Sequence, residues 1–227
     1  MEISPDYLLS ILKIIWIDLL LSGDNAVVIA LACRSLPERQ RRWGILLGAG
    51  AAVGLRIVFA TIVTTLMVIP FLLTVGGLLL LWIAIKLLRG DEHENHEIAA
   101  HTKLWQAVRT IAMADAVMSL DNVIAIVGAA GGDYSLFIFG LALSIPLIIV
   151  GASLITGLIR RFPIFVWAGA ALLGWIAGEM IVKDSALHEM GLPHGYTAHY
   201  VAAVLGAGFV VLVGWVLKRR NQAAESA

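Results

Sequence analysis

Charge is scarce in this chain. Asp, Glu, Lys and Arg make up 14% of its 227 residues, against roughly 25% in an ordinary soluble protein. Hydrophobic residues make up 60%, and mean hydropathy is +0.91. A soluble globular domain is therefore excluded as the default. Cysteine is nearly missing: Cys33 stands alone, so no intrachain disulfide forms. The 16 basic and 16 acidic residues cancel, and no basic surface interleaved with aromatics invites nucleic acid. No nucleotide-binding motif is present to make ATP a direct driver. There is no HExxH and no nucleophile–base pair, which sets an intramembrane enzyme far down the order of readings. The N-terminal "MEISPDY" lacks a basic n-region, and the apolar run behind it is too long for a signal peptide. The expectation is a retained first helix.

What the chain has is long apolar runs. A membrane helix needs about 20 mainly apolar residues. Seven stretches qualify, at 7–33, 43–69, 71–88, 104–130, 134–158, 162–183 and 199–217. The expected fold is an all-α polytopic membrane protein of seven transmembrane helices in a single transmembrane domain. The run at 71–88 follows Pro70 with almost no loop, which predicts a tight hairpin between the second and third spans. Too little chain lies outside the spans for a soluble catalytic domain.

Basic residues outside spans favour the cytoplasmic side. Arg34, Arg39, Arg41 and Arg42 follow the first span; Arg89, Lys103 and Arg109 surround the start of the fourth; Arg160 and Arg161 follow the fifth; Lys218, Arg219 and Arg220 follow the seventh. With seven spans these all fall on one side, and the other side has only Lys183. The N-terminus is accordingly expected outside and the C-terminus in the cytoplasm.

The chain also repeats itself. "DLLLSGDNAVVIALA" (Asp18 to Ala32) returns as "DAVMSLDNVIAIVGA" (Asp115 to Ala129). Asp18 matches Asp115, Ser22 matches Ser119, Asp24 matches Asp121 and Asn25 matches Asn122. Further on, Pro70, Gly76, Trp82, Ile83 and Ala84 recur as Pro163, Gly169, Trp175, Ile176 and Ala177. Chance similarity between apolar helices does not readily produce four polar identities at one spacing. The chain reads as two three-helix repeats, about 7–88 and 104–183, joined by a cytoplasmic loop at about 89–103 and followed by the seventh helix. Three is odd, so the repeats run in opposite directions through the membrane, the arrangement that places a transport site near the midplane.

A charge at mid-membrane costs about 2.5–3.5 kcal/mol on insertion scales. Four central carboxylates therefore need a reason. They could be buried in ion pairs, with Arg56 in the second span and Lys13 in the first as the available partners. They could be protonated, since burial raises a carboxyl pKa. Two basic groups cannot neutralise four carboxylates, and a bound divalent cation would supply the missing charge. At 100° per residue, Asp18, Ser22 and Asn25 share a helix face, whereas Asp24 points roughly 120° away. A break at Ser22–Gly23 would swing Asp24 into the same cavity; the second copy has Leu120 where the first has Gly23. If the first and fourth spans pack side by side, all four carboxylates meet in one layer. The donors are carboxylate, amide and hydroxyl oxygens, which suit Mg²⁺, Ca²⁺ or Mn²⁺ rather than Cu⁺ or thiolate-bound zinc.

Two other features are less informative. Lys86 aligns with Glu179, but they lie near opposite membrane faces; Lys86 is expected to snorkel, and Glu179 to sit at an outer vestibule or to be structural. The stretch "RGDEHENHEIAAH" sets His93, His96 and His101 among acids. A solvated linker is the expectation there, a metal-sensing loop the alternative.

The paired segments "SGDNAVVIALA" and "SLDNVIAIVGAA", with Asp18 and Asp115 upstream, resemble the TerC family of integral membrane proteins, in particular its short bacterial branch of metal exporters. The resemblance covers about 5–217, and the two D-x-x-x-S-x-D-N motifs are its specific part. It implies Mn²⁺ efflux across the bacterial cytoplasmic membrane. Its acidic positions fall on Asp18, Asp24, Asn25, Asp115, Asp121 and Asn122. Tellurite is not the expected substrate, because an acidic midplane repels oxyanions. The working reading is a secondary transporter driven by cation/proton antiport. Asp24 and Asp121 are the main ligands; Asn25, Asn122, Ser22 and Ser119 complete or orient the shell; Asp18 and Asp115 ligate or relay protons. Its partners are the lipid bilayer, the metal ion as substrate and protons, with no tightly bound cofactor; an oligomer is compatible with it. The competing reading is a membrane-protein assembly or partner-binding module whose polar motifs are structural.

Overall fold

The computed structural model of the chain describes residues 23–66, 69–89, 100–129, 134–191 and 195–225. All regular structure among them is helical: α1 (Gly23–Ala32), α2 (Glu38–Leu66), α3 (Leu72–Arg89), α4 (Ala100–Ala129), α5 (Tyr134–Arg161), α6 (Ile164–Val182), the short α7 (Ser185–Glu189) and α8 (Tyr196–Glu225). Each predicted apolar run contains one of the long helices or the described part of one; α7 is an addition. By length and composition, five helices can cross a membrane, at Glu38–Ile62, Leu72–Arg89, Leu141–Arg161, Ile164–Val182 and Tyr196–Arg220. α4 has the length but carries Lys103, Arg109, Asp115 and Asp121. α1 is described over ten residues.

Local chemistry sets several helix ends. Pro37 precedes α2 and its carbonyl accepts from the Arg41 amide at 2.8 Å. Glu38 lies in the first turn, where a negative charge complements the helix dipole, and it pairs with Arg42 at 3.6 Å. Pro163 stands before α6 with φ −57°, ready for helix. Asp184 caps α7, its Oδ1 accepting from the Ala186 amide at 3.0 Å.

Two apolar clusters form the interior. One joins Val28 and Leu31 of α1, Leu80 and Ile83 of α3, Val117 and Met118 of α4, Leu173 and Ala177 of α6, and Val210 of α8. The other joins Ala26 and Ile29 of α1, Ile45 and Ala49 of α2, Ala107 and Ile111 of α4, and Ile148 and Ala152 of α5. Only α1 and α4 contribute buried residues from within their helices to both clusters. The two helices that carry the D-x-x-x-S-x-D-N copies are thus the central ones, and they pack against each other.

The outer faces are apolar as well. Leu154, Ile164 and Leu205 are among many large side chains left exposed, as a lipid-facing surface requires. α8 lies against α6 and α3. Its approach to α6 is close enough that a Cβ added at Gly178 would meet the Ala202 carbonyl oxygen, and one at Gly206 the Gly174 carbonyl oxygen. Small residues at such crossings let helix backbones pack directly in lipid.

The tight hairpin expected between the second and third spans is corrected. The connection is short, with Phe71 in the left-handed region at φ 61°. However, α2 and α3 do not lie along each other: α2 packs on α4 and α5, and α3 on α6, α4 and α8. A short turn brings two helix ends together, but the helices follow the neighbours that bury their apolar faces.

Candidate functional site

The polar residues sit where α1, α2 and α4 meet. α1 carries Asp24 in its first turn and Asn25 directly after it. Asn25 is 4% exposed. Its backbone N–H donates to the Asp24 Oδ1 at 2.8 Å. Its side-chain amide nitrogen and oxygen are both buried and find no hydrogen-bond partner. Leaving a buried amide unpaired costs about 1–3 kcal/mol. Asp24 is half-buried and lies within electrostatic reach of Arg56 and Asp115.

Across from this turn lies a buried charge network. Arg56, in the middle of α2, is 1% exposed, Asp115 is 3% and Ser119 fully buried. The Arg56 Nη2 stands 3.1 Å from Asp115 Oδ1, and its Nε donates to the Ser119 hydroxyl at 3.3 Å. The Ser119 hydroxyl in turn donates to Asp115 Oδ2 at 2.9 Å. Asp115 and Ser119 are four residues apart, one turn of α4, which puts both on the face that meets Arg56. Both carboxylate oxygens of Asp115 are therefore engaged. Of the partners available in the sequence, Arg56 is taken by Asp115.

Of the eight predicted site residues, the structure joins Asp115 and Ser119 directly, and sets Asp24 and Asn25 on the helix packed against theirs. Asp18 and Ser22 lie outside the described residues, as do Lys13 and the proposed break at Ser22–Gly23. Asp121 and Asn122 are described as backbone only. α4 runs unbroken through Leu120, so the second copy has no break matching the one expected in the first. Among the described residues, no three of His, Cys, Asp or Glu come together as a ready cation cage.

Away from this layer, Glu179 accepts from the Trp175 indole N–H at 2.9 Å, and Lys86 lies over the Trp82 ring, 5.5 Å from its centroid. They are not paired with each other, as their places in the spans predicted. His93 and His96 lie outside the described residues, and His101 falls in the first turn of α4. One buried carboxylate escaped the sequence reading. Asp184 is 3% exposed and its Oδ2 accepts from the Thr74 backbone amide at 2.8 Å and hydroxyl at 2.9 Å. Burial alone would push its carboxyl up. The Thr74 donors and the Ala186 amide outweigh that and hold it below the usual carboxylate range. The signal available was Asp184 before Ser185, a capping residue at a helix start.

A bundle of apolar helices with polar, charged residues at its centre defines a multi-pass integral membrane protein. A model of the family described as "Integral membrane protein TerC family" matches residues 3–222, and the chain belongs to that family. It is 45% identical over 207 residues to the uncharacterized membrane protein YjbE of Bacillus subtilis (strain 168), covering 91% of this chain and 94% of the relative. It is 26% identical to the uncharacterized membrane protein YceF of the same organism, over 91% of this chain and 81% of the relative. The UPF0053 inner membrane protein YoaE of Escherichia coli (strain K12) is 23% identical over 96% of this chain but 44% of the relative. No solved structure matches.

Proposed function

We propose that this protein is a secondary transporter that exports a divalent cation, Mn²⁺ by preference, across the bacterial cytoplasmic membrane in exchange for protons. The observation that carries the reading is Asn25: a buried amide with no protein partner, adjacent to a half-buried carboxylate in a helix packed at the centre of the bundle. An amide oxygen and a carboxylate held there at a cost in stability are donors suited to a hard cation. Asp24 and Asn25 supply the first-copy ligands, with Asp18 and Ser22 one and two turns before them. Asp121 and Asn122 supply the second-copy ligands. Asp115 and Ser119, held by Arg56, position α4 and set the charge of the layer.

The reading includes seven spans in two inverted repeats plus a final helix, with the N-terminus outside. The pattern of helix packing supports the repeats. Exchanging α1, α2 and α3 for α4, α5 and α6 turns the α2–α4 pair into α5–α1 and the α1–α6 pair into α4–α3, and every one of these pairs is in contact. The repeat-matched glycines behave alike. A Cβ at Gly76 of α3 would stand 3.1 Å from Val117 of α4, and one at Gly169 of α6 2.8 Å from Val27 of α1. Each seats the first helix of the other repeat.

The network of Arg56, Asp115 and Ser119 favours a second reading. A buried ion pair with its oxygens engaged is what a purely structural motif requires, as in an assembly or partner-binding module. Proteoliposomes separate the two. Under the transporter reading, purified protein moves Mn²⁺ across the bilayer and an opposing pH gradient accelerates it; under the module reading, flux equals that of empty liposomes.

A further inference from the structure

Three basic side chains converge on a small pocket at the end of the bundle where α1 and α3 finish and α4 begins. Arg34 and Ser35 reach it from the turn after α1, Lys86 from the last turn of α3, and Lys103 and Gln106 from the start of α4. No acidic side chain lines it. Its floor includes Leu31 and Leu87, both buried. The cavity is about 50 Å³, which suits a single tetrahedral oxyanion group and not a nucleotide.

The surroundings favour an anion there. Arg34 and Lys103 are half-buried, so their charges are less screened than those of free surface residues. An Arg34 Nη2 donates to the Leu88 carbonyl at 3.4 Å, which holds the guanidinium at the pocket and offsets the negative end of α3. Lys86 is steadied over Trp82. The height of the pocket is marked independently. Trp43, Trp82 and Trp105, on α2, α3 and α4, are each more than half exposed and lie near the same ends of their helices. Indole rings left uncovered in this way collect at the headgroup level of a bilayer.

We propose that this pocket binds a phosphate group at the cytoplasmic membrane surface. The tryptophan belt sets it level with the headgroups of anionic lipids, which are one source of that group; phosphate from solution is the other. The site is separate from the polar layer between α1 and α4, and does not depend on what the protein transports.

The test uses the full-length protein in detergent. Native mass spectrometry counts retained phosphatidylglycerol against phosphatidylcholine, and thermal unfolding is followed with added inorganic phosphate. Retention of phosphatidylglycerol identifies the lipid source; stabilisation by phosphate alone identifies the soluble one. In either case Lys103→Gln and Lys86→Gln each weaken binding about fivefold, the equivalent of ~1 kcal/mol per basic residue at an anionic surface. Lys103→Arg retains it, and Lys183→Gln, at the other end of α6, leaves it unchanged. Lys86 is exposed, so its variant carries the test should Arg34→Gln or Lys103→Gln fail to fold. No preference for phosphatidylglycerol together with no response to phosphate overturns the proposal, as does equal weakening by Lys183→Gln.

Discussion

Replacing Arg56 with Met isolates the buried ion pair. The change removes a guanidinium that is 1% exposed and leaves Asp115, 3% exposed, without its charge partner in the network. Two contacts go, at 3.1 Å to Asp115 and 3.3 Å to Ser119. Hydrogen bonds to charged groups contribute about 1.5–3 kcal/mol each. Breaking one side of a buried pair costs about 3–5 kcal/mol, because the remaining charge is stranded. Arg56→Met should therefore destabilise the protein by about 3–5 kcal/mol, and Asp115→Asn by less, since the amide can still accept from Ser119. The double variant Arg56→Met with Asp115→Leu removes both charges and should recover most of the loss. The assay is a double-mutant cycle on unfolding free energy in a fixed detergent or lipid composition. A coupling energy of about 2 kcal/mol or more is expected for a pair in direct contact. A coupling near zero, or Arg56→Met as stable as the parent, would refute the claim that this pair holds α2 to α4.

Three further outcomes follow from other residues. Asn25→Leu removes two unpartnered buried polar atoms, so it should raise stability by about 1–3 kcal/mol while abolishing transport; thermal unfolding and Mn²⁺ flux on one preparation check both halves. Gly178→Val drives a side chain into the Ala202 backbone, and forcing α6 and α8 apart should cost about 1–3 kcal/mol in the same unfolding assay. Asp184→Asn loses the tie to Thr74. Because the folded carboxyl is held low, its contribution is fully present above the unfolded value of about 3.9 and disappears as pH falls through the folded value. The parent should therefore be more stable than the variant at pH 7, and the gap should close below about pH 4.

How much of this was legible in the sequence depends on the range of the interaction. Helix positions followed from apolar runs, since the bilayer demands length and composition that local sequence records. The repeat pointed to Asp115 and Ser119, and burial economics pointed to Arg56 as a partner for some central carboxylate. Which carboxylate it meets depends on how α2 lies against α4, and no local pattern encodes that. The hairpin between the second and third spans was misread for the same reason: the length of the turn at Pro70 is local, whereas the divergence of α2 and α3 is set by their packing on other helices. The tie from Asp184 to Thr74 spans 110 positions, and only its capping half is visible locally. The α6–α8 crossing was more readable than the reading made it, because Gly174 and Gly178 form a small-xxx-small pair. The basic pocket combines residues from three helix ends, each of which looked like ordinary loop charge.

The polar layer also joins stability to function. Arg56 neutralises Asp115, so the layer holds a built-in cation opposite one copy of the motif. The first copy keeps Asp24 beside an amide with no hydrogen-bond partner. An arrangement that ties down one half and leaves donors open in the other suits a site that must bind and release a cation rather than hold it permanently.

Mn²⁺ flux into or out of proteoliposomes containing the parent and Asp24→Asn tests the central claim most directly. The parent should carry Mn²⁺ faster than empty liposomes, and Asp24→Asn, folded to the same extent by thermal unfolding, should fall to the empty-liposome rate. Equal flux through parent and variant would contradict the assignment of the carboxylate–amide pair of α1 as the cation site.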